Sequence, residues 1–425
     1  MESETRERPR SLRRGIPATL ICAVGLCIGN VGAQAQDMNV DRFTLRGCGT
    51  LGATPHDPEG VEFRRNVGQG LGVTEGDVDF RVDSLAGVQF DFKLGSTVDV
   101  MLQGVSRLAA DGEWGARMPQ GFTRYTPAES LVMRAGRVGY DIYLLAESRQ
   151  VGYSYLTVRP SVEFYGQITD DDIDGADISY TRRAGPGLFR ARVFGGSGVG
   201  ELAFADGTHR PSRSDIYGAT FDYIYRGWTG RVAFAQFNYE AGADLGQLTG
   251  ALRATGFPSA RAIADDLSQP SLKSLGVQIG VAYDEGPMLA QLMYGAGNSN
   301  SLAGPNFDKS YALFGYRMRK WTPFVSHAGS FDRHPVRDAG LPPAPMLAPL
   351  NQAVMAVQSA TRSTQHTTSL GVRYDYSSRI DFKLQLDHTR VRDSALYFDH
   401  RAPSGTAPTE PFDMNVIAAT VDFVF

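Results

Sequence analysis

Arg81, Arg134, Arg190, Arg192, Arg231, Arg373 and Lys383 share one property. Each falls on the polar parity of a segment in which apolar and polar residues alternate. Residues 138–173 add a second store of charge: Asp141, Glu147, Arg149, Arg159 and Glu163, then Asp170, Asp171 and Asp172, with Asp174 just beyond. Fixed charges of both signs beside a water-filled passage can select ions, because a low-dielectric wall strengthens their field. The plainer account of any one of them is a solvated charge in a wide lumen. Arg137 lies one parity off Arg134, so it belongs either past a β-bulge or to the following loop. The acidic run from Asp170 to Asp174 could also hold a divalent cation. It lacks the spaced ligands and turn glycine of a calcium loop, so a solvated acidic run is the simpler reading.

Catalytic chemistry finds little support. Gly47-Cys48-Gly49-Thr50-Leu51-Gly52 matches the G-x-G-x-x-G spacing of a dinucleotide loop. That motif needs a helix after it, and Pro55 and Pro58 follow instead. Glycines at a close approach of strands explain the pattern better. Ser197, in Gly195-Gly196-Ser197-Gly198-Val199, fails the spacing of a nucleophile elbow. The seven histidines are scattered without metal-ligand spacing. Cys48 has no identified base and reads as a small strand residue. No catalytic residue, cofactor or metal is assigned, and no enzyme activity is expected.

The elements that must carry these charges are strands. Val78, Phe80, Val82, Ala86, Val88, Phe90, Phe92 and Leu94 fall on even numbers, with Asp79, Arg81, Asp83, Gln89, Asp91 and Lys93 on odd ones. Successive strand residues point to opposite faces, so one face is apolar and the other polar. Strands are expected near 42–53, 77–94, 97–108, 116–125, 131–137, 174–183, 188–197, 214–225, 228–240, 274–284, 288–297, 309–318, 321–330, 366–376, 380–390 and 412–425. Connections alternate between short turns and longer loops at 54–76, 109–115, 138–173, 198–213, 241–273, 298–308, 331–365 and 391–411. That asymmetry, with polar residues inward and apolar ones outward, describes a barrel in lipid. A soluble sandwich would not be forced into it. The expected fold is all-β: a transmembrane antiparallel β-barrel of sixteen strands. One missed hairpin would make it fourteen or eighteen. Tyr223, Tyr225, Trp228, Tyr316, Trp321, Tyr374 and Tyr376 flank short turns, where an interfacial girdle would need them.

The ends agree with export. Five arginines among residues 6–14 precede an apolar run from Ile16 to Val31, and Ala33-Gln34-Ala35 offers small residues for cleavage. That order predicts a signal peptide over 1–35 and a barrel over 36–425. Removing 1–35 takes away five basic and three acidic residues, so the net charge moves from −4 to −6. That is too mild to argue for nucleic acid. Beyond the leader only Cys48 remains, so no disulfide framework forms. No later stretch has eighteen consecutive apolar residues, which excludes a helical membrane protein.

The last segment carries Ile417, Ala419, Val421, Phe423 and Phe425 on one parity. It resembles the signal, with Phe423 and Phe425, by which outer-membrane barrels are recognised for assembly. Phe43-Thr44-Leu45-Arg46-Gly47-Cys48-Gly49-Thr50-Leu51-Gly52 resembles the first strand of proteobacterial porins. Met133-Arg134-Ala135-Gly136-Arg137-Val138-Gly139 resembles the strand that enters their third loop. Residues 147–155 and 158–166 are similar to that loop in a poorly characterised porin subgroup. The resemblance implies a sixteen-stranded, usually trimeric diffusion channel for small hydrophilic solutes in the outer membrane. Its surroundings would be lipid bilayer and lipopolysaccharide, and it would be assembled by the barrel-assembly machinery. It also implies that the third loop, about 138–173, folds inward to form the constriction. Arg81, Arg134, Arg137, Asp141, Glu147, Arg149, Arg159, Glu163, Arg190, Arg192, Arg231, Arg373 and Lys383 are then the pore-lining candidates. A substrate-specific channel, or an adhesin or receptor using loops 241–273 and 331–365, are alternatives; an outer-membrane hydrolase fits less well.

Overall fold

A computed structural model describes residues 42–57, 60–70, 72–73, 78–140, 142–144, 146–168, 172–204, 208–240, 245–399 and 410–425. The expected leader over 1–35 lies outside the described residues. The alternation expected from the sequence becomes sixteen barrel strands: β1 (Phe43–Ala53), β3 (Leu85–Lys93), β4 (Val98–Leu108), β5 (Trp114–Ala128), β6 (Leu131–Val138), β7 (Ile173–Ala184), β8 (Gly187–Ala203), β9 (His209–Tyr225), β10 (Trp228–Tyr239), β11 (Leu272–Glu285), β12 (Met288–Ser299), β13 (Phe307–Tyr316), β14 (Trp321–Asp332), β15 (Ser363–Asp375), β16 (Ile380–Ser394) and β18 (Phe412–Val424). Every neighbour pairs antiparallel, and β1 closes onto β18 with Gly49 opposite Phe423. Two further strands, β2 (Val61–Glu62) and β17 (Phe398–Asp399), pair with each other in the connecting loops.

The outer face is apolar because the outward parity is. Val88, Phe90 and Phe92 on β3 are exposed, as are Leu370 on β15 and Phe382, Leu384 and Leu386 on β16. The inward parity of β16 is Asp381, Lys383, Gln385, Asp387 and Thr389, all buried. The short turns lie at one end. Gly185 and Gly286, each followed by proline, take positive φ there, and so do Arg226 and Arg319. Tight hairpin turns need that conformation. Around the same end Tyr223, Trp228, Tyr316, Trp321 and Tyr376 stand exposed, and Trp228 packs on Tyr283 and Trp321 on Tyr374 at ring-centre distances of 4.7 and 4.5 Å.

Three expectations change. The segment 77–94 is strand only from Leu85. Residues 80–83 bend, and Val82 turns inward to 1% exposure under neighbouring loops. The expected loop 198–213 is mostly strand, since β8 and β9 each run 17 residues. Its glycines and serines hid a period-two pattern that Val199, exposed outward, continues. Loops 241–273 and 331–365 contain helices: α2 (Gly246–Ala254) and α3 (Pro258–Leu267) in the first, α4 (Ala348–Ser359) in the second. Leu252, Ala260, Ala264, Ala339, Leu341 and Val354 form their shared core. Proline in the first turn of α3 and α4 was a readable start signal.

Candidate functional site

The third loop, between β6 and β7, crosses the inside of the barrel and is tied to its wall in three places. The first tie lies over β6 to β10. Inward positions of adjacent strands carry opposite charges in register, with Arg134 opposite Asp177, Arg190 opposite Asp222 and Asp222 opposite Arg231. Their ion pairs close at 2.6, 2.7 and 2.6 Å. Glu147 descends from a single 3-10 turn (146–148) and bridges Arg134 at 2.8 Å and Arg192 at 2.7 Å. Arg192 Nε also donates to Ser179 Oγ at 2.9 Å, and Arg231 Nη1 donates to the Tyr143 carbonyl at 2.9 Å. An apolar patch supports this tie: Tyr140 and Ile142 of the loop pack with Met101, Phe122, Phe194 and Ile216.

The second tie lies over β15, β16, β18 and β1. Arg373 Nη1 donates to the carbonyls of Tyr153 and Tyr155 at 2.8 and 3.0 Å, and its guanidinium stacks over the Tyr153 ring. Lys383 Nζ donates to the Gly152 carbonyl at 2.7 Å while pairing with Asp422 at 3.0 Å. Thr50 Oγ1 donates to the same aspartate. The loop lies so close that a Cβ on Gly152 would sit 2.0 Å from Asp422 Oδ1, so glycine is required there.

The third tie joins loop 3 to loop 1. Arg159 is buried, with Nη2 2.6 Å from Asp83 and Nη1 2.8 Å from Asp387, and it stacks over Phe63. Glu163, in the short helix α1 (Val162–Tyr165), is 2% exposed and accepts from Ser161, Gln365 and Thr367.

The wall charges Arg134, Arg190, Arg192, Arg231, Arg373 and Lys383 therefore stand where parity placed them, and Glu147, Arg159 and Glu163 meet them or their neighbours. Two candidates stand elsewhere. Arg81 is not on a strand; it sits in the bend before β3, ion-paired with Asp79 at 2.7 Å. Alternation among Val78, Phe80 and Val82 mimicked a strand that the chain does not form. Arg137 stays in β6 with unbroken register against β7, so neither a bulge nor the loop accounts for its parity. It lies on the face opposite Arg134 and pairs with Asp174 at 2.7 Å and Asp172 at 3.5 Å. Asp141, Asp170 and Asp171 lie outside the described residues. Among the described residues no group of three or more histidine, cysteine or acidic side chains is gathered to hold a metal.

Loop 1, residues 54–84, is the part that sequence reading missed. It enters the barrel mouth beside loop 3. Val61, Phe63, Val73 and Val82 pack with Leu396 and Tyr397 of the last long loop and with inward-facing Leu108, Val391, Met414 and Val416. Arg64 is fully buried. Its guanidinium donates to the carbonyls of Leu396 and Gln69 at 2.7 and 3.1 Å and stacks 3.5 Å over Phe398. Burial drives its pKa down to about 9 against the opposing pull of Glu62 and Tyr397. The available signal was Val61 alternating with Phe63 inside a nominally exposed loop.

A cavity of about 290 Å³ is bordered by Arg65 of loop 1, Arg107 and Arg117 of β4 and β5, Arg149 and Gln150 of loop 3, and Glu201 of β8. Cys48 faces inward near the same loop, with Sγ 3.9 Å from the Gln150 carbonyl.

The sequence matches no protein-family profile and no curated protein sequence. Among solved structures, the chain is similar to OmpF of Salmonella typhi, crystallised with daunomycin (12% identity, TM-score 0.51, 90% of this chain and 97% of that one). It is similar also to an outer-membrane expressed OmpT of Vibrio cholerae (10%, 0.51, 92% and 100%) and to the anion-selective porin of Comamonas acidovorans (12%, 0.50, 90% and 99%). At such identity the likeness is one of fold: this chain has the closed sixteen-stranded barrel architecture found in outer-membrane porins.

Proposed function

We propose that the chain is a passive diffusion channel of a Gram-negative outer membrane that admits small hydrophilic solutes and ions without catalysis. One observation carries the reading. A closed barrel presents an apolar exterior with an aromatic girdle, and its polar interior is narrowed by an inward-folded third loop tied to the wall by charges. On this reading residues 1–35 are an export signal, the short turns face the periplasm and the long loops face outward. Bilayer lipid and lipopolysaccharide surround the outer face, and the barrel-assembly machinery inserts the chain. The porin-like motifs favour a homotrimer. The narrowness of the cavity favours small solutes over large ones.

Refolded protein in planar bilayers should give stepwise single-channel currents. A preparation that is folded by gel mobility yet silent in the bilayer would sink the proposal. The trimer has a cheaper check: a slow band on unheated gels that collapses to monomer on boiling.

A further inference from the structure

We propose that the short-turn rim of the barrel binds anionic phospholipid through the turns Arg226-Gly227 and Arg319-Lys320. The inference rests on the membrane placement in the channel reading above and adds a lipid class to it.

Gly185, Arg226, Gly286 and Arg319 hold one equivalent position. Each opens a two-residue turn between paired strands, and each takes positive φ, at 58°, 52°, 60° and 59°. Glycine adopts that conformation freely, whereas in any other L-residue Cβ crowds the following carbonyl. Two of these turns have glycine there and two have arginine. Among the described residues Arg226 and Arg319 are the non-glycine residues with positive φ. A long cationic side chain does nothing for the turn itself, so the reason for it lies outside the turn.

Outside the turns lies the girdle. Trp228 and Trp321 directly follow the two turns and are exposed, as are Tyr316, Met318 and Tyr376. The cations stand over girdle rings. The Arg226 guanidinium is 5.3 Å from the Tyr225 ring centre, and Lys320 Nζ is 6.0 and 5.8 Å from those of Tyr374 and Tyr376. Lys320 Nζ also donates to the Tyr376 carbonyl at 3.0 Å, a neutral group that positions the ammonium. Among the described residues Arg226, Arg319 and Lys320 make no ion pair. The nearby acids are engaged elsewhere: Asp284 pairs with Arg317 at 2.7 Å and Asp375 with Arg373 at 2.8 Å. Glu285 borders the first turn, where it accepts from the Gly227 N–H at 3.4 Å. The Arg319-Lys320 turn is therefore the more basic of the two.

Beyond the rings the outer face is apolar, with Phe314, Val325 and Leu370 exposed. A ligand that meets both surfaces has an anionic head and an apolar tail. A free phosphate or an acidic peptide would use only the cations. A phospholipid with a net negative headgroup uses the cations, the rings and the apolar wall together.

The test uses the full chain folded into phosphatidylcholine vesicles that contain brominated phosphatidylglycerol, with brominated phosphatidylcholine as the parallel series. Bromine quenches tryptophan fluorescence on contact. Of the three tryptophans, Trp228 and Trp321 flank the turns, and Trp114 begins β5 at the opposite end. Phosphatidylglycerol should bind beside them about threefold or more tighter than phosphatidylcholine. The triple variant Arg226→Gly/Arg319→Gly/Lys320→Gln should bring that ratio to about one, because the charge that selects the headgroup is gone. Glycine relaxes both turns, so the variant should fold at least as well as the parent by gel mobility. Arg210→Gln, at the long-loop end of β9, should leave the ratio unchanged. If the triple variant does not fold, Arg319→Gly alone takes its place and should lower the ratio. Equal quenching by the two lipids in the parent, or a ratio that the variants leave unaltered, would overturn the site. Single-channel currents from the same preparations decide the channel reading separately: silent bilayers with the lipid preference intact would strike the channel and uphold the site.

Discussion

Arg159 of loop 3 and Asp83, at the end of loop 1, meet at 2.6 Å although 76 residues separate them. Asp387 on the β16 wall takes the other arm of the same guanidinium at 2.8 Å. Two loops and the wall thus share one buried cation. Removing it leaves two carboxylates buried without their partner, a loss of about 3–5 kcal/mol when one member of a buried pair is deleted. Arg159→Met should lower the urea midpoint, read by tryptophan fluorescence, and enlarge the single-channel step as both loops loosen. Arg159→Lys should recover only part of this, because an ammonium cannot fork between two carboxylates. Unchanged midpoint and conductance in Arg159→Met would show that other contacts hold the loops.

The same tie gives a pH dependence. Burial would raise the Asp83 carboxyl, but the charge and hydrogen bond of Arg159, with Thr54 and Arg65, outweigh it and hold it below the ordinary range. Glu147 behaves alike: burial would raise it, and Arg192 and Arg134 prevail. A carboxylate lowered in the folded state stabilises fully above its unfolded value and loses that contribution as pH falls through its folded value. The contributions of Asp83 and Glu147 are therefore lost only below about pH 4. Channel steps should be constant from pH 7 to 5 and become larger or noisier in stronger acid. Recordings at stepped pH check this, and a transition between pH 5 and 7 would point to another group.

Much of this was legible because period-two alternation is local. Phe90, Phe92, Leu384 and Leu386 face outward as their parity required, and Arg190, Arg192 and Lys383 face inward. Parity says where a side chain points only if the segment is a strand. Val82 kept the spacing but lies in a bend, because its apolar side chain is buried against loop residues distant in sequence. Arg137 kept the strand, and its odd parity meant the outer face. The Arg159 tie and the entry of loop 1 were not legible. Both depend on contacts that the closed barrel creates between residues far apart in the chain.

Glu147 stands between two arginines, so its removal should shift ion preference. Glu147→Gln keeps the shape and leaves Arg134 to Asp177 and Arg192 to Ser179. One unit charge acting on an ion 4 Å away in water is worth about 1 kcal/mol, close to a fivefold preference at most. Reversal potentials under a potassium chloride gradient should move toward the chloride potential. Movement toward potassium, or none, would place Glu147 away from the ion path.

The closing seam makes the most direct structural prediction. Phe425 and Phe423 lie across β1 on the outer face, over Gly47 and Gly49. A Cβ on Gly47 would meet the Phe425 ring at 2.1 Å, and one on Gly49 would meet Phe423 at 2.3 Å. The rings fill space that glycine leaves bare, as aromatic cover of strand glycines does elsewhere. Gly47→Val forces the Phe425 ring outward and should cost about 1–3 kcal/mol, the usual toll of overpacking. The fraction of folded, heat-modifiable band after refolding in detergent should fall. Gly95→Ala, where a Cβ meets nothing within 4 Å, should fold as the parent does. Adding Phe425→Ala to Gly47→Val removes the clash, and a β-branched residue suits an outward strand position. The pair should therefore refold better than Gly47→Val alone. Refolding in detergent leaves assembly factors out, so the result reports the fit of β1 against β18 and nothing else. Equal refolding of Gly47→Val and the parent would mean that the ring moves aside freely and that closure rests on the backbone pairing between these strands.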